Sequence, residues 1–212
     1  MLFNKTKEFE KSIQERLYTL GYEKIKWNNS ELYTLSHKEY NEEDIKETLF
    51  FLYSHGSQGC LEINPSVGIC FEAIERVKYR LLRLDVNKKY IPIPTIGKNL
   101  FCIIPSGEYD RWKFSEPHQI QTICDGIINE INTFGHYLYN KYGTLENLKK
   151  GLENVDNKDF DLYDKKINLP VIYLIEGNKQ QGIDYINMLS SLNAKAYVEP
   201  YEQRFVQNYY AF

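Results

Sequence analysis

Leu49-Phe50-Phe51-Leu52-Tyr53, the turn Ser54-His55-Gly56-Ser57-Gln58-Gly59 and the run Cys60-Leu61-Glu62-Ile63-Asn64 decide how this chain folds. Beyond Pro65, the residues Leu61, Ile63, Val67 and Ile69 keep a period of two, which puts every second side chain on one face of a strand. Ile74, Val77, Leu81 and Leu84 then recur at three and four, the spacing of one helix face. The stretch from Lys46 to Leu84 therefore predicts a hairpin feeding a helix that folds back over it, a sheet centre with its cover. Pro65 has no N–H for a ladder, so it marks an edge, a bulge or a strand break.

Working outward, Phe9, Ile13, Leu17 and Leu20 make an amino-terminal helical stripe that Asn4 or Thr6 can cap, with Gly21 placed to end it in the left-handed conformation. Glu23–Trp27 and Leu32–His37 read as a hairpin around Asn28-Asn29-Ser30, and residues 38–45 as an acidic connector. After the central stretch, Asp85–Lys98 reads as a loop, and Asn99–Ile104 and Tyr109–Phe114 as two more strands around Pro105-Ser106-Gly107. The Ser115 hydroxyl caps, and Glu116 and Pro117 begin, a long helix in which Ile120, Ile123, Ile127, Ile131, Phe134 and Leu138 hold the helical spacing. Gly143 ends it and Thr144 starts another. Residues 153–166 are rich in Asp and read as a boundary. A helical hairpin and a last helix at Tyr201–Phe212 follow, although Val171–Ile175 could equally be a strand. The expectation is an α+β fold, a mostly antiparallel sheet of about six strands covered by helices. A core domain would span 1–152, with a helical extension at 153–212 that can also pack on the core as one domain.

The 212 residues, 42% hydrophobic and 26% charged, suit a soluble globular protein that folds without disulfides or metals. A net charge of −3, with 15 basic against 14 acidic groups in residues 1–100 and 11 against 15 in residues 101–212, leaves neither half a basic module and argues against nucleic acid and anionic membranes as partners. The amino-terminal residues lack an apolar signal core, and no run approaches a membrane span. Cys60, Cys70, Cys102 and Cys124 show neither C-x-x-C nor zinc spacing, which predicts four thiols in a reducing cytoplasm.

Chemistry is sparse. His55 and Cys60 flank one turn, but no third group orients them, so a structural role is the better reading. His37, His118 and His136 are isolated, and no glycine pattern or G-x-S-x-G marks a nucleotide or acyl-transfer site. No catalytic residue, metal or cofactor is therefore expected. Arg76, Arg80 and Arg83 share one helix face and read as a solvated side balanced by Glu72 and Glu75. The stretch from Asp156 to Asp164 fails the calcium-loop template, having neither the glycine at position six nor the glutamate at position twelve. It remains either a solvated connector or an acidic surface for a basic partner.

The turn Leu20-Gly21-Tyr22-Glu23-Lys24, the strand Cys60–Asn64, the Trp-bearing strand Arg111-Trp112-Lys113 and the long helix ending near Phe134–Tyr142 together resemble an uncharacterised bacterial family of small α/β proteins. The resemblance covers roughly residues 8–152 and brings no catalytic residues with it. Proteins of this build often sit in toxin–immunity gene neighbourhoods, which implies protein binding. The expected function is thus a non-enzymatic cytoplasmic protein that binds another protein, such as an immunity protein neutralising a basic toxin domain. Its contacts would be Asp156, Asp159, Asp161, Asp164, Trp112, Tyr209 and Tyr210. The alternative is a small hydrolase or transferase without a motif.

Overall fold

The computed structural model describes residues 2–27, 30–36, 45–56, 59–82, 93–105, 112–192, 197 and 199–212. Of the connector expected at 38–45, residues 38–44 lie outside them, as do 85–92 of the loop expected at Asp85–Lys98, the turn residues 106–107, residues 109–111 of the strand expected at Tyr109–Phe114, and Arg83 and Leu84. The described ends of the connector and the loop are corrected, since Ile45 opens a strand and residues 96–98 belong to another. The chain is α+β, with an antiparallel six-stranded sheet and helices at the carboxy-terminal end. Among the described residues, no helix is long and apolar enough to cross a membrane.

Two compact units divide the chain. One comprises Met1–Glu39, Lys46–Ile69 and Gly97–Asn140, the other Tyr40–Ile45, Cys70–Ile96 and Lys141–Phe212. The second unit thus starts earlier than the boundary expected at 152–153 and draws in the helix that follows the central hairpin.

In the first unit, helix α1 (Leu2–Thr19) buries Phe9, Ile13 and Leu17 completely. It begins before Asn4 and Thr6, so neither residue caps it as expected. It ends as expected at Gly21 (φ 86°), where the Tyr22 amide donates to the Leu17 carbonyl and the Gly21 amide to Tyr18. This pair of bonds is the Schellman closure, which needs a residue tolerant of positive φ. Strands β1 (Glu23–Trp27), β2 (Ser30–Ser36), β3 (Ile45–His55) and β4 (Leu61–Phe71) follow in spatial order, and β5 (Ile96–Asn99) lies beyond β4. Strand β6 (Lys113–Phe114) also pairs with β4, at Leu61 and Glu62.

Pro65 finds its reason in that topology. It is buried within β4, just past the residues paired with β6, while the next residue, Ser66, donates its hydroxyl to Asn99 of β5 at 2.5 Å. The missing N–H falls where one edge partner gives way to the other.

Phe9 lies 5.7 Å from the Phe51 ring and 6.4 Å from Phe114, tying α1 to the inner face of the sheet. The expected strand Asn99–Ile104 is corrected. Strand structure stops at Asn99 and a 3-10 turn occupies Leu100–Cys102, burying Leu100 alone of the three. The long helix is also shorter than its periodicity predicts. A 3-10 turn at Pro117–Gln119, capped by Glu116 and not by the Ser115 hydroxyl as expected, leads into α3 (Ile120–Phe134), and α4 (Tyr137–Tyr142) is separate. Between them, a Cβ at Gly135 would stand 2.4 Å from the Ile131 carbonyl oxygen, so only glycine fits this close turn.

In the second unit, α2 (Glu72–Leu81) packs on α6 (Leu162–Ile175) and α8 (Pro200–Ala211). Helix α6 also meets α5 (Leu145–Glu153) and α7 (Lys179–Leu192). Every residue from Lys166 to Tyr173 is buried, which makes α6 the central helix and explains its apolar run without a clear face.

Pro170 sits inside α6, where it removes the bond that would close onto the Lys166 carbonyl and would ordinarily cost about 3 kcal/mol. The Tyr197 hydroxyl donates to that carbonyl at 2.8 Å. The Tyr209 hydroxyl donates to the carbonyl of Pro170 itself, also at 2.8 Å. Two tyrosines thus hold the proline-bearing turn from outside the helix.

Candidate functional site

The acidic stretch is wound onto its own unit rather than left as a solvated connector. Asp159 accepts from Lys141 Nζ and from the Tyr142 hydroxyl, each at 2.7 Å. Asp161 caps α6, accepting from the Asp164 amide at 2.8 Å, while Asp164 accepts from the Asp161 amide at 3.2 Å. This reciprocal box satisfies helix amides that would otherwise lack partners. Glu153 accepts from the Tyr173 hydroxyl, and Asp156 lies exposed. Three of the four aspartates expected to meet a partner therefore have structural duties.

The expected aromatic contacts divide as well. Trp112 is buried and its backbone carbonyl accepts from Ile63. Tyr209 is fully buried, and Gly182 on α7 makes room for it, since a Cβ there would stand 1.8 Å from its hydroxyl. Neither can form a contact surface. Tyr210 is exposed, and its hydroxyl donates to Asn187.

What the structure does bring together is a group of charged and tyrosine side chains where α2, α6 and α8 meet. Glu75 and Lys78 are nearly sealed from water and form a 2.8 Å ion pair. Burial opposes the Lys78 ammonium, yet the neighbouring Glu75 carboxylate outweighs it and the pKa rises. Lys166 of α6 and Glu202 of α8 make a second buried pair. Burial works against the Glu202 carboxylate too, but bonds from Lys166 and the Glu199 amide hold it below the usual range. Breaking such a pair strands one charge, at about 3–5 kcal/mol.

Above these pairs lie Tyr163 and Tyr201. Their ring centroids are 6.3 Å apart, and Lys166 Nζ stands 5.9 Å from the Tyr163 centroid. The Tyr201 hydroxyl is pushed up to about 12, first by burial and then by its bond to Glu202. Asp164 is pushed up to about 7, mainly by burial and then by the Asp161 carboxylate.

Sequence spacing missed this group for a definite reason. On α2 the buried residues are Glu72, Ile74, Glu75, Lys78 and Leu81, so the inward face is rotated toward two charges that a hydrophobic pattern assigns to water. Of the ion pairing expected on the wet face, Arg76 does meet Glu72, at 3.0 Å.

Two other places carry polar groups. In the first unit, His136 Nδ1 lies 2.7 and 2.9 Å from the two carboxylate oxygens of Glu47, which is buried on β3. A carboxylate that accepts a hydrogen bond from Nδ1–H fixes the ring and its tautomer. Nothing in the sequence joins residues 89 positions apart. Cys60, Glu62, Lys113, Ser115 and Gln119 line a cleft of 590 Å³ at the start of β4. Several of its polar groups are already bonded: Ser54 donates to Glu62, Lys5 donates to the Gly59 and Ser115 carbonyls, and Gln119 accepts from the Ser115 and Glu116 amides. The His55 side chain lies outside the described residues, so its pairing with Cys60 is not placed. Among the described residues, no group of three or more His, Cys, Asp or Glu side chains is arranged to hold a metal ion.

No family model matches the chain, and neither a curated protein nor a solved structure does.

Proposed function

We propose that this chain is a non-enzymatic bacterial cytoplasmic protein that binds another protein, acting as an immunity protein that masks a toxin domain. The observation that carries the reading is the aromatic surface at the starts of α6 and α8. Tyr163 and Tyr201 leave 39% and 41% of their surface in water with Leu162 beside them at 46%, although tightly bonded groups lie directly beneath. Tyrosines held on rigid helices bury much area at little cost in side-chain freedom, which suits the centre of a protein interface. The likeness of Leu20–Lys24 and Cys60–Asn64 to a family found beside toxin genes points the same way. The cytoplasmic setting rests on cysteine usage, with Cys70 and Cys124 serving as small buried residues.

Co-expression with the protein encoded beside it tests the proposal. The expected result is relief of growth arrest together with a complex that survives size-exclusion chromatography. Growth arrest that persists with no complex formed would remove it.

The His136–Glu47 pair favours a second reading, a hydrolase or transferase using His136 as a base. Turnover of ester, amide or phosphoester substrates that disappears in His136→Ala would replace the first reading with this one.

A further inference from the structure

Independently of both readings above, we propose that the Glu47–His136 pair makes Nε2 of His136 a phosphorylation site, supplied by a phosphoramidate donor such as the phosphohistidine of another protein. Nδ1 lies 2.7 and 2.9 Å from the two carboxylate oxygens of Glu47, so Nδ1 carries the ring proton and the lone pair is left on Nε2. The Glu47 side chain keeps 3% of its surface in water, whereas that of His136 keeps 41%. A buried group thus orients a ring that reagents can still reach. The close turn at Gly135, next to His136, admits only glycine and holds the backbone in place.

This arrangement suits nucleophilic attack without a separate base, because Nε2 has no proton to lose. Its lone pair forms an N–P bond, the N–P bond of the protonated donor breaks, and the donor nitrogen leaves with the electron pair as a neutral amine. Attack places positive charge on the imidazole. The Glu47 carboxylate, already bonded to Nδ1–H and shielded from water, offsets that charge as it develops. An acyl group on an imidazole nitrogen is soon lost to water, but a phosphoryl group persists at neutral pH, which makes it the fitting modification. His118, exposed in the turn before α3, has no carboxylate partner among the described residues and serves as the internal reference.

Potassium phosphoramidate added to the full chain at neutral pH tests this. Phosphorus NMR separates the Nε2 from the Nδ1 product, and peptide mapping locates it. His136 should react about ten-fold or more faster than His118, the size expected for a group oriented by a bonded carboxylate, and at Nε2 alone. His136→Gln should remove that product, His118→Gln should leave it, and Glu47→Gln should slow it to the rate of His118. Should Glu47→Gln fail to fold, as judged by thermal unfolding, the contrast between His136 and His118 in the wild type decides. Equal rates at the two histidines, reaction at Nδ1 of His136, or a folded Glu47→Gln that reacts like wild type would overturn the proposal.

Discussion

Asp164 shows how much one residue's surroundings can depart from what its identity suggests. In sequence it is one of several aspartates in a polar stretch; in the structure it is half-buried, with Asp161 across the capping box. Its pKa lies above the unfolded value of 3.8, at about 7, because burial and then the Asp161 charge disfavour ionisation. Folding therefore favours its protonated form. The stability it contributes is fully present below about pH 4 and is lost as pH rises towards 7. Asp164→Asn should flatten that part of the pH–stability curve, measured as urea midpoints at pH 4.5 and 7.5. An identical slope in the variant would place the titration elsewhere. Local signals of this kind were partly legible, since Gly21, Thr144 and Pro117 all stand where helix-end chemistry puts them. The Lys166–Glu202 and Glu47–His136 pairs were not, because only tertiary packing decides which distant charges lose their water.

Helix α6 is the element on which sequence reading divided, and its environment explains why. A strand and a buried helix both present unbroken apolar runs, so Val171–Ile175 leaves no periodic signature. Pro170 adds a signal against a helix interior. The helix persists because Tyr197 and Tyr209 bond the carbonyls of Lys166 and Pro170. Tyr197→Phe should leave the Lys166 carbonyl unsatisfied and cost about 1–3 kcal/mol in urea unfolding. Restoring an amide at that turn with Pro170→Ala should recover part of the loss. A Tyr197→Phe variant as stable as wild type would show that the carbonyl finds another donor. Gly182→Ala should destabilise more than Tyr209→Phe, because its Cβ would stand 1.8 Å from the tyrosine hydroxyl. The double variant should be milder than Gly182→Ala alone, and strict additivity would argue against the close approach. The other departures are shorter: the 3-10 turn after β5 and the break at Gly135 interrupt runs whose apolar spacing continues through them.

At the scale of the molecule, the α+β class and the central hairpin with its helix were legible because their periodicities are long and regular. The division of the chain was not. Composition shifts at residue 153, yet α2 packs with α6 and α8, and α5 packs with α6. A fragment ending at Gly151 would leave Ile74, Leu81 and the Glu75–Lys78 pair without their covering helices. It should unfold over a broad range and bind a hydrophobic dye, where the full chain unfolds cooperatively. A sharp transition in the fragment would restore the boundary that composition suggests. The functional account rests on this second unit, whose aromatic surface at α6 and α8 is offered as a protein-docking face. Calorimetric titration of the protein encoded beside this chain, against wild type and a Tyr163→Asp/Tyr201→Asp double variant of unchanged melting temperature, tests that claim most directly. The account predicts tight binding by wild type and a loss of at least about a hundred-fold in the variant, as for a buried interface centre. Equal affinity of both proteins, or no binding by wild type, would contradict it.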